Sequence, residues 1–161
     1  MSFTQLTIDD LLDDDDHPVL NMTLDPGAQE PRRMHADDAG ADLMSIEDVT
    51  LSAGERRIVH TGVHIALDPS MLAYVVPRSG LAAKHGITIT NAPGLIDTGY
   101  RGGLGVCLQN TSSEDFEIHV GDRIAQLVVQ RFLPVRFRLV DALDETERGD
   151  GSYGSTGVQR Q

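Results

Sequence analysis

The sequence predicts an all-β fold: an antiparallel, jelly-roll-like sandwich or barrel with one short helix. Three observations lead there. Short runs alternating apolar and polar residues recur through the middle of the chain, the period of a half-buried strand. Gly (16 of 161 residues) and Pro (7) punctuate those runs as turn signals. One stretch, Ser79 to Gly86, has helix-like caps. Many short strands between turns fit two packed sheets. Trp is absent and aromatic residues make up 4%, so aliphatic side chains must fill the core. No repeat is visible, and the length suits one domain.

Taken in order, residues 1–18 form an acidic leader with Asp9, Asp10 and Asp13 to Asp16. It reads as a mobile, solvated segment; a partner-binding tail is the sharper alternative. A β domain is expected over 19–143. Val19 to Leu24 alternates and stops at Asp25-Pro26-Gly27. Val49 to Ala53 and Ile58 to Leu67 continue the strand pattern, with Val63, Ile65 and Leu67 on one face and His64 and Ala66 on the other. Leu72 to Val76 is apolar and ends at Pro77. Ser79 is then the expected N-cap and Gly86 the terminator of the helix. Ile87 to Ile89 and Leu104 to Leu108 flank a Gly-rich run and make it a wide hairpin. Phe116, Ile118 and Val120 alternate; Gly121-Asp122 turns the chain into Arg123 to Val129, an apolar run expected to be buried on both faces. Val135, Phe137 and Leu139 predict a last strand. Residues 144–161 are polar and Gly-rich, a flexible arm by composition.

Charge bounds the function. The chain holds 25 acidic against 13 basic residues, a formal net charge of −12. That argues against nucleic-acid binding, which needs Lys and Arg to replace counterions. An anionic ligand would need a local cluster of positive groups. A single cysteine, Cys107, sits in an apolar run and reads as a small core residue. It suits a reducing compartment. The first residues lack a secretory pattern and no run could span a membrane, so a cytoplasmic protein is expected. His60 and His64 have the spacing of a zinc helix, but the Glu is missing and the context is strand.

The stretch most suited to chemistry is Asn91 to Gly105, NAPGLIDTGYRGGLG. It joins one carboxylate (Asp97), one phenol (Tyr100) and one guanidinium (Arg101) to five glycines and a proline. Glycines let a ligand approach the backbone, whose N–H and C=O groups then read it. Taken alone, the stretch fits either a ligand-reading hairpin with a general base or an ordinary Gly-rich turn with an exposed Asp. Similar pairs of readings hold elsewhere. Asp42, in Ala39-Gly40-Ala41-Asp42-Leu43, either positions a water or an Arg, or stabilises its own turn. Pro77-Arg78-Ser79-Gly80-Leu81-Ala82 opens either a phosphate site or a capped surface helix. Gln126, in Gly121 to Leu127, bonds either a ligand or neighbouring backbone.

In order along the chain, these segments resemble four of the five motifs of the trimeric dUTPases. Arg148 to Gly157, RGDGSYGSTG, resembles the fifth, with Tyr153 where the family usually has Phe and Ser152 where Gly is common. The resemblance implies hydrolysis of dUTP to dUMP and pyrophosphate by a homotrimer with sites shared between subunits. It makes Asp97 the general base, activating a water that attacks the α-phosphorus. It gives Asn91, Gly94, Leu95, Ile96, Tyr100 and Tyr153 to uracil and deoxyribose. It gives Arg78, Ser79, Gly80, Gln126, Arg148, Ser155 and Thr156 to the phosphates, with Asp42 in support. Mg²⁺ is expected through substrate phosphates and water, with no direct protein ligand. Two alternatives stand beside this. A dCTP deaminase of related fold would need a catalytic Glu, and none lies between Asn91 and Cys107. A nucleotide-dependent regulator that binds proteins is favoured only by the acidic leader.

Overall fold

The computed structural model describes residues 18–146 and 148–150. Among these are eleven strands and one helix: β1 (Asn21–Leu24), β2 (Ala41–Met44), β3 (Val49–Leu51), β4 (Arg56–His60), β5 (Val63–Ala66), β6 (Met71–Val76), α1 (Ser79–His85), β7 (Ile87–Ile89), β8 (Gly94–Ile96), β9 (Gly105–Asn110), β10 (Phe116–Ile118) and β11 (Arg123–Arg131). Every strand pair is antiparallel. The pairings are nested: β2 with β11, β3 with β10, β4 with β9. A long hairpin rolled onto itself gives that order, which is how a jelly roll forms. The sheets are β2-β11-β6-β8, β4-β9-β7, β1-β5 and β3-β10.

The core is aliphatic, as the composition requires. Leu43, Leu51, Val59, Val63 and Ile118 are buried in one cluster drawn from all four sheets. Alternation decides which residues join it. In β6, Met71, Ala73 and Val75 point inward while Leu72, Tyr74 and Val76 are half-buried on the other face. The single run expected over Ile58 to Leu67 is two strands. Gly62 breaks it with φ +65°, and a Cβ there would lie 2.7 Å from Ala28 Cβ. Thr61 stabilises the break, donating its hydroxyl to the Leu104 carbonyl at 2.7 Å.

Four expectations need correction. The helix starts one residue earlier than Ser79 as N-cap implies. Arg78 holds the cap position in extended conformation, because its side chain is tied elsewhere, and Ser79 becomes the first helical residue. Gly86 ends the helix at φ +67° as expected. Cys107 is half-buried on the outer face of β9, since Val106 and Leu108 take the inward phase. The run Arg123 to Val129 is less enclosed than expected, because Gln126, Val128 and Val129 are only half-buried. Finally, Val135 to Leu139 is not a strand. Alternation supplies an apolar face but no partner edge, and among the described residues none pairs with it. Phe137 is 96% exposed and Leu139 99%.

Candidate active site

Three of the family-like segments meet at one end of the β2-β11-β6-β8 sheet. Register brings them there: Gln126 on β11 lies opposite Asp42 on β2 and opposite Val76 on β6. Just beyond Val76 the chain turns through Pro77 to Arg78. The Asp42 carboxylate is buried and receives two charged donors. Arg78 Nε bonds Oδ1 at 3.1 Å, and Arg123 Nη1 bonds Oδ2 at 3.1 Å. Arg78 Nη1 also donates to the Arg123 carbonyl at 2.9 Å. One carboxylate thus holds two guanidiniums side by side, and neither bond of Arg78 uses its Nη2. The Asp42 pairs concentrate positive charge locally in a chain of net charge −12. Gly40 makes room, since a Cβ there would lie 3.1 Å from Gln126 Cβ. Ser79 and Gly80 are exposed in the first turn of α1, and a Cβ on Gly80 would meet open space.

The hairpin between β7 and β9 is built differently. Ile89 pairs with Leu108 at its base, and β8, inside the loop, adds to the edge of β6. Gly94 is buried opposite Val75, with the Asn91 amide 3.5 Å from where its Cβ would be. The Ala92–Pro93 peptide bond is cis. Ile96 packs toward the core and Leu95 faces out. Thr98 donates its hydroxyl to the Met71 carbonyl at 2.7 Å. Arg101 Nη1 bonds the carbonyls of Thr98 and Tyr100, both at 2.7 Å. The Tyr100 hydroxyl donates to the Gly103 carbonyl at 3.0 Å, and its ring lies over Gly102. A Cβ on Gly102 would come 2.5 Å from that hydroxyl oxygen, so any side chain there would displace the ring from this position. Between these anchors Asp97 is exposed, and its carboxylate has no hydrogen bond or ion pair among the described residues.

The two groups do not meet within one chain. Ile96 pairs with Ala73 and Thr98 bonds Met71, so Asp97 lies beside Leu72, near the start of β6. Val76, which leads to Arg78, is four residues on, about 13 Å along a strand.

A family model described as dUTPase matches residues 27–157. The chain belongs to the dUTPase family. It is 54% identical over 136 residues to a deoxyuridine 5′-triphosphate nucleotidohydrolase of Rhodococcus erythropolis, covering 83% of this chain and 82% of that one. With its counterpart from Nocardia farcinica it shares 50% identity over 141 residues, 87% of this chain and 86% of that one. Among solved structures, the dUTPase of Staphylococcus bacteriophage 80alpha with dUPNHPP superposes with a TM-score of 0.82 at 27% identity, covering 88% of this chain and all of that one. A dUTPase variant of phage phi11 of S. aureus, described with a structural Mg(II) ion, gives 0.74 at 25%, covering 80% and 100%.

Arg123 is the residue that sequence reasoning missed in this dUTPase. Its signal was present, since it stands inside the Gly121 to Leu127 motif, but its partner is 81 residues away. Arg148 opens a turn in which the Gly149 N–H bonds the Thr146 carbonyl at 3.0 Å. Tyr153, Ser155 and Thr156 lie outside the described residues, as do Ser152 and most of the acidic leader. Among the described residues no three His, Cys, Asp or Glu side chains are grouped to hold a metal, and Asp42 is already committed to two arginines.

Proposed function

We propose that this dUTPase hydrolyses dUTP to dUMP and pyrophosphate with Asp97 as the general base. The supporting observation is an exposed carboxylate, unpartnered among the described residues, on a hairpin held before it by the pairing of Ile96 with Ala73 and after it by the Thr98 and Arg101 bonds. Such a group is open to a water and to a substrate at once. Asp97 takes the proton as the water oxygen attacks the α-phosphorus, and pyrophosphate leaves. Arg78, Ser79, Gly80, Gln126, Arg148, Ser155 and Thr156 hold phosphate oxygens, with Arg123 added to that set. Asp42 positions the two arginines.

Asn91 and the backbone of Gly94 to Ile96 read the uracil edge. A base with reversed donors and acceptors would leave buried groups unpaired there. Tyr100 packs under the deoxyribose, and Tyr153 of the arm (144–161) stacks on the base. Mg²⁺ would be held through the substrate phosphates and water; bound there, it would neutralise phosphate charge.

The separation of Asp97 from the arginine pair supports a homotrimer with sites shared between subunits. The exposed apolar row of Leu133, Phe137 and Leu139 supports it too, because such a row is stable only when covered. The protein works in the cytoplasm on free nucleotide, without nucleic acid or membrane; among the described residues no helix is long and apolar enough to cross one. A panel of dUTP, dCTP, dTTP and UTP, read by pyrophosphate and ammonia release, tests the reading. Pyrophosphate from dUTP alone is expected; ammonia from dCTP would replace it with a deaminase.

A further inference from the structure

His64 sits under the catalytic hairpin, and the reading above gives it no role. On β5 it is half-buried, and its ring lies against Gly103, with Cε1 3.4 Å from where a Cβ would stand. Nδ1 is 3.0 Å from the Arg101 carbonyl oxygen and Nε2 is 3.2 Å from Asp25 Oδ1. A backbone carbonyl and an ionised carboxylate both only accept hydrogen bonds. A neutral imidazole carries one N–H and can satisfy one of them. Only the imidazolium, with N–H on both nitrogens, makes both bonds.

We propose that His64 is a positioning residue: as an imidazolium it ties the Arg101 carbonyl to Asp25, and so holds the limb of the hairpin that follows Asp97 and Tyr100. The chain of contacts is short. Arg101 grips the carbonyls of Thr98 and Tyr100 with its guanidinium, and the Tyr100 hydroxyl bonds the carbonyl of Gly103, the residue against which the His64 ring lies. Fixing the Arg101 carbonyl therefore fixes the turn that aims Asp97. Losing one of the two bonds frees that turn from the Asp25 corner at the end of β1.

The groups facing His64 are few. Asp25 approaches from the turn after β1. Thr23, opposite His64 on β1, is neutral. From the hairpin comes Arg101, which lines the hollow beside β1 and β5 and whose guanidinium is engaged by two carbonyls. His60, at the end of β4, stands near Gly105. The balance favours the charged ring. The hydrogen bond to the Arg101 carbonyl raises the His64 pKa above its ordinary value; the bond to Asp25 and its charge add to this, while partial burial opposes it. A raised folded-state pKa means that the clamp is complete below the unfolded value, about 6.5. It is lost as pH rises through the folded value.

The inference rests on the dUTPase reading, and the experiment separates the two. The full chain and its His64→Gln and Asp25→Asn variants are compared for dUTP turnover from pH 6 to 9. In parallel, NMR follows the His64 ring and the Arg101 and Gly102 amides over the same range. Gln donates to the carbonyl at every pH but does not titrate. The ratio of native to His64→Gln kcat should fall by roughly two- to fivefold across the range, the size of an exposed ion pair. Its midpoint should match the ring's NMR titration, and Asp25→Asn should lower both. A ratio flat with pH, a ring titrating at or below 6.5, or amides that ignore it would overturn the clamp. A protein without dUTP turnover at any pH would instead sink the dUTPase reading, while the amide titration would still decide the clamp.

Discussion

Asp42 lies on a strand of the β2-β11-β6-β8 sheet and Asp97 just past the end of another, and their surroundings are opposite. Asp42 is buried, with two arginines on its two oxygens. Asp97 is exposed, and nothing among the described residues engages it. The difference teaches how one residue type divides into two jobs. A buried carboxylate must be paired, so its charge goes into holding cations in place. A carboxylate left open on a pinned loop keeps its lone pairs for a proton. On the proposed reading, the arginines around Asp42 are the substrate's partners and the hairpin around Asp97 is a mount.

The sharpest way to break this contrast is Asp97→Asn. Turnover should fall by about 10²–10⁴-fold. Affinity for a non-hydrolysable dUTP analogue, measured by calorimetry, should stay within a few-fold. Near-native kcat would end the assignment of Asp97 as base. Next in size is a mixing test of the distance between the two groups. Asp97→Asn and Arg78→Ala chains, each inactive, are refolded together. If one copy's hairpin works with another's arginines, random trimers should recover about a quarter of native activity; a dead mixture would place both halves of the site in one chain.

Asp42→Ala tests the other side of the contrast. It leaves two half-exposed guanidiniums without their anchor, and urea unfolding should show a loss of about 1–3 kcal/mol. KM should rise as well, because Arg78 and Arg123 are no longer held together. Unchanged stability with a raised KM would make Asp42 a direct substrate group. The smallest expected effect is Gly102→Ala, which pushes the Tyr100 ring off its seat. Discrimination between dUTP and UTP should drop by about tenfold or less, measured as the ratio of kcat/KM values.

Much of the fold was legible because strands here carry clean alternation. β5, β7 and β10 follow their apolar phases, and Gly86 marks the helix end. The pieces that were not legible depend on partners remote in sequence. β8 is three residues, Gly94-Leu95-Ile96, too short for a period, and exists because β6 offers an edge. Cys107 stands in an apolar run where either phase fits, and the pairing of β4 with β9 settles which side it takes. Val135 to Leu139 shows the reverse error, a valid strand pattern that pairs with no edge among the described residues. In the site, the motifs pointed to Asp42, Arg78, Gln126 and Asp97 separately. That Asp42 joins Arg78 to Arg123, and that Asp97 stands at the other end of β6, follows only from register.

The row from Leu133 to Leu143 has a further consequence for the life of the molecule. Among the described residues nothing buries Leu133, Phe137, Leu139 or Leu143, and each forgoes about 1.5–3 kcal/mol of burial while it stays in water. If the proposed trimer covers them, durability depends on copies meeting one another. Specific activity and melting temperature should both decline as the solution is diluted, and scarcity itself would act as an inactivating condition.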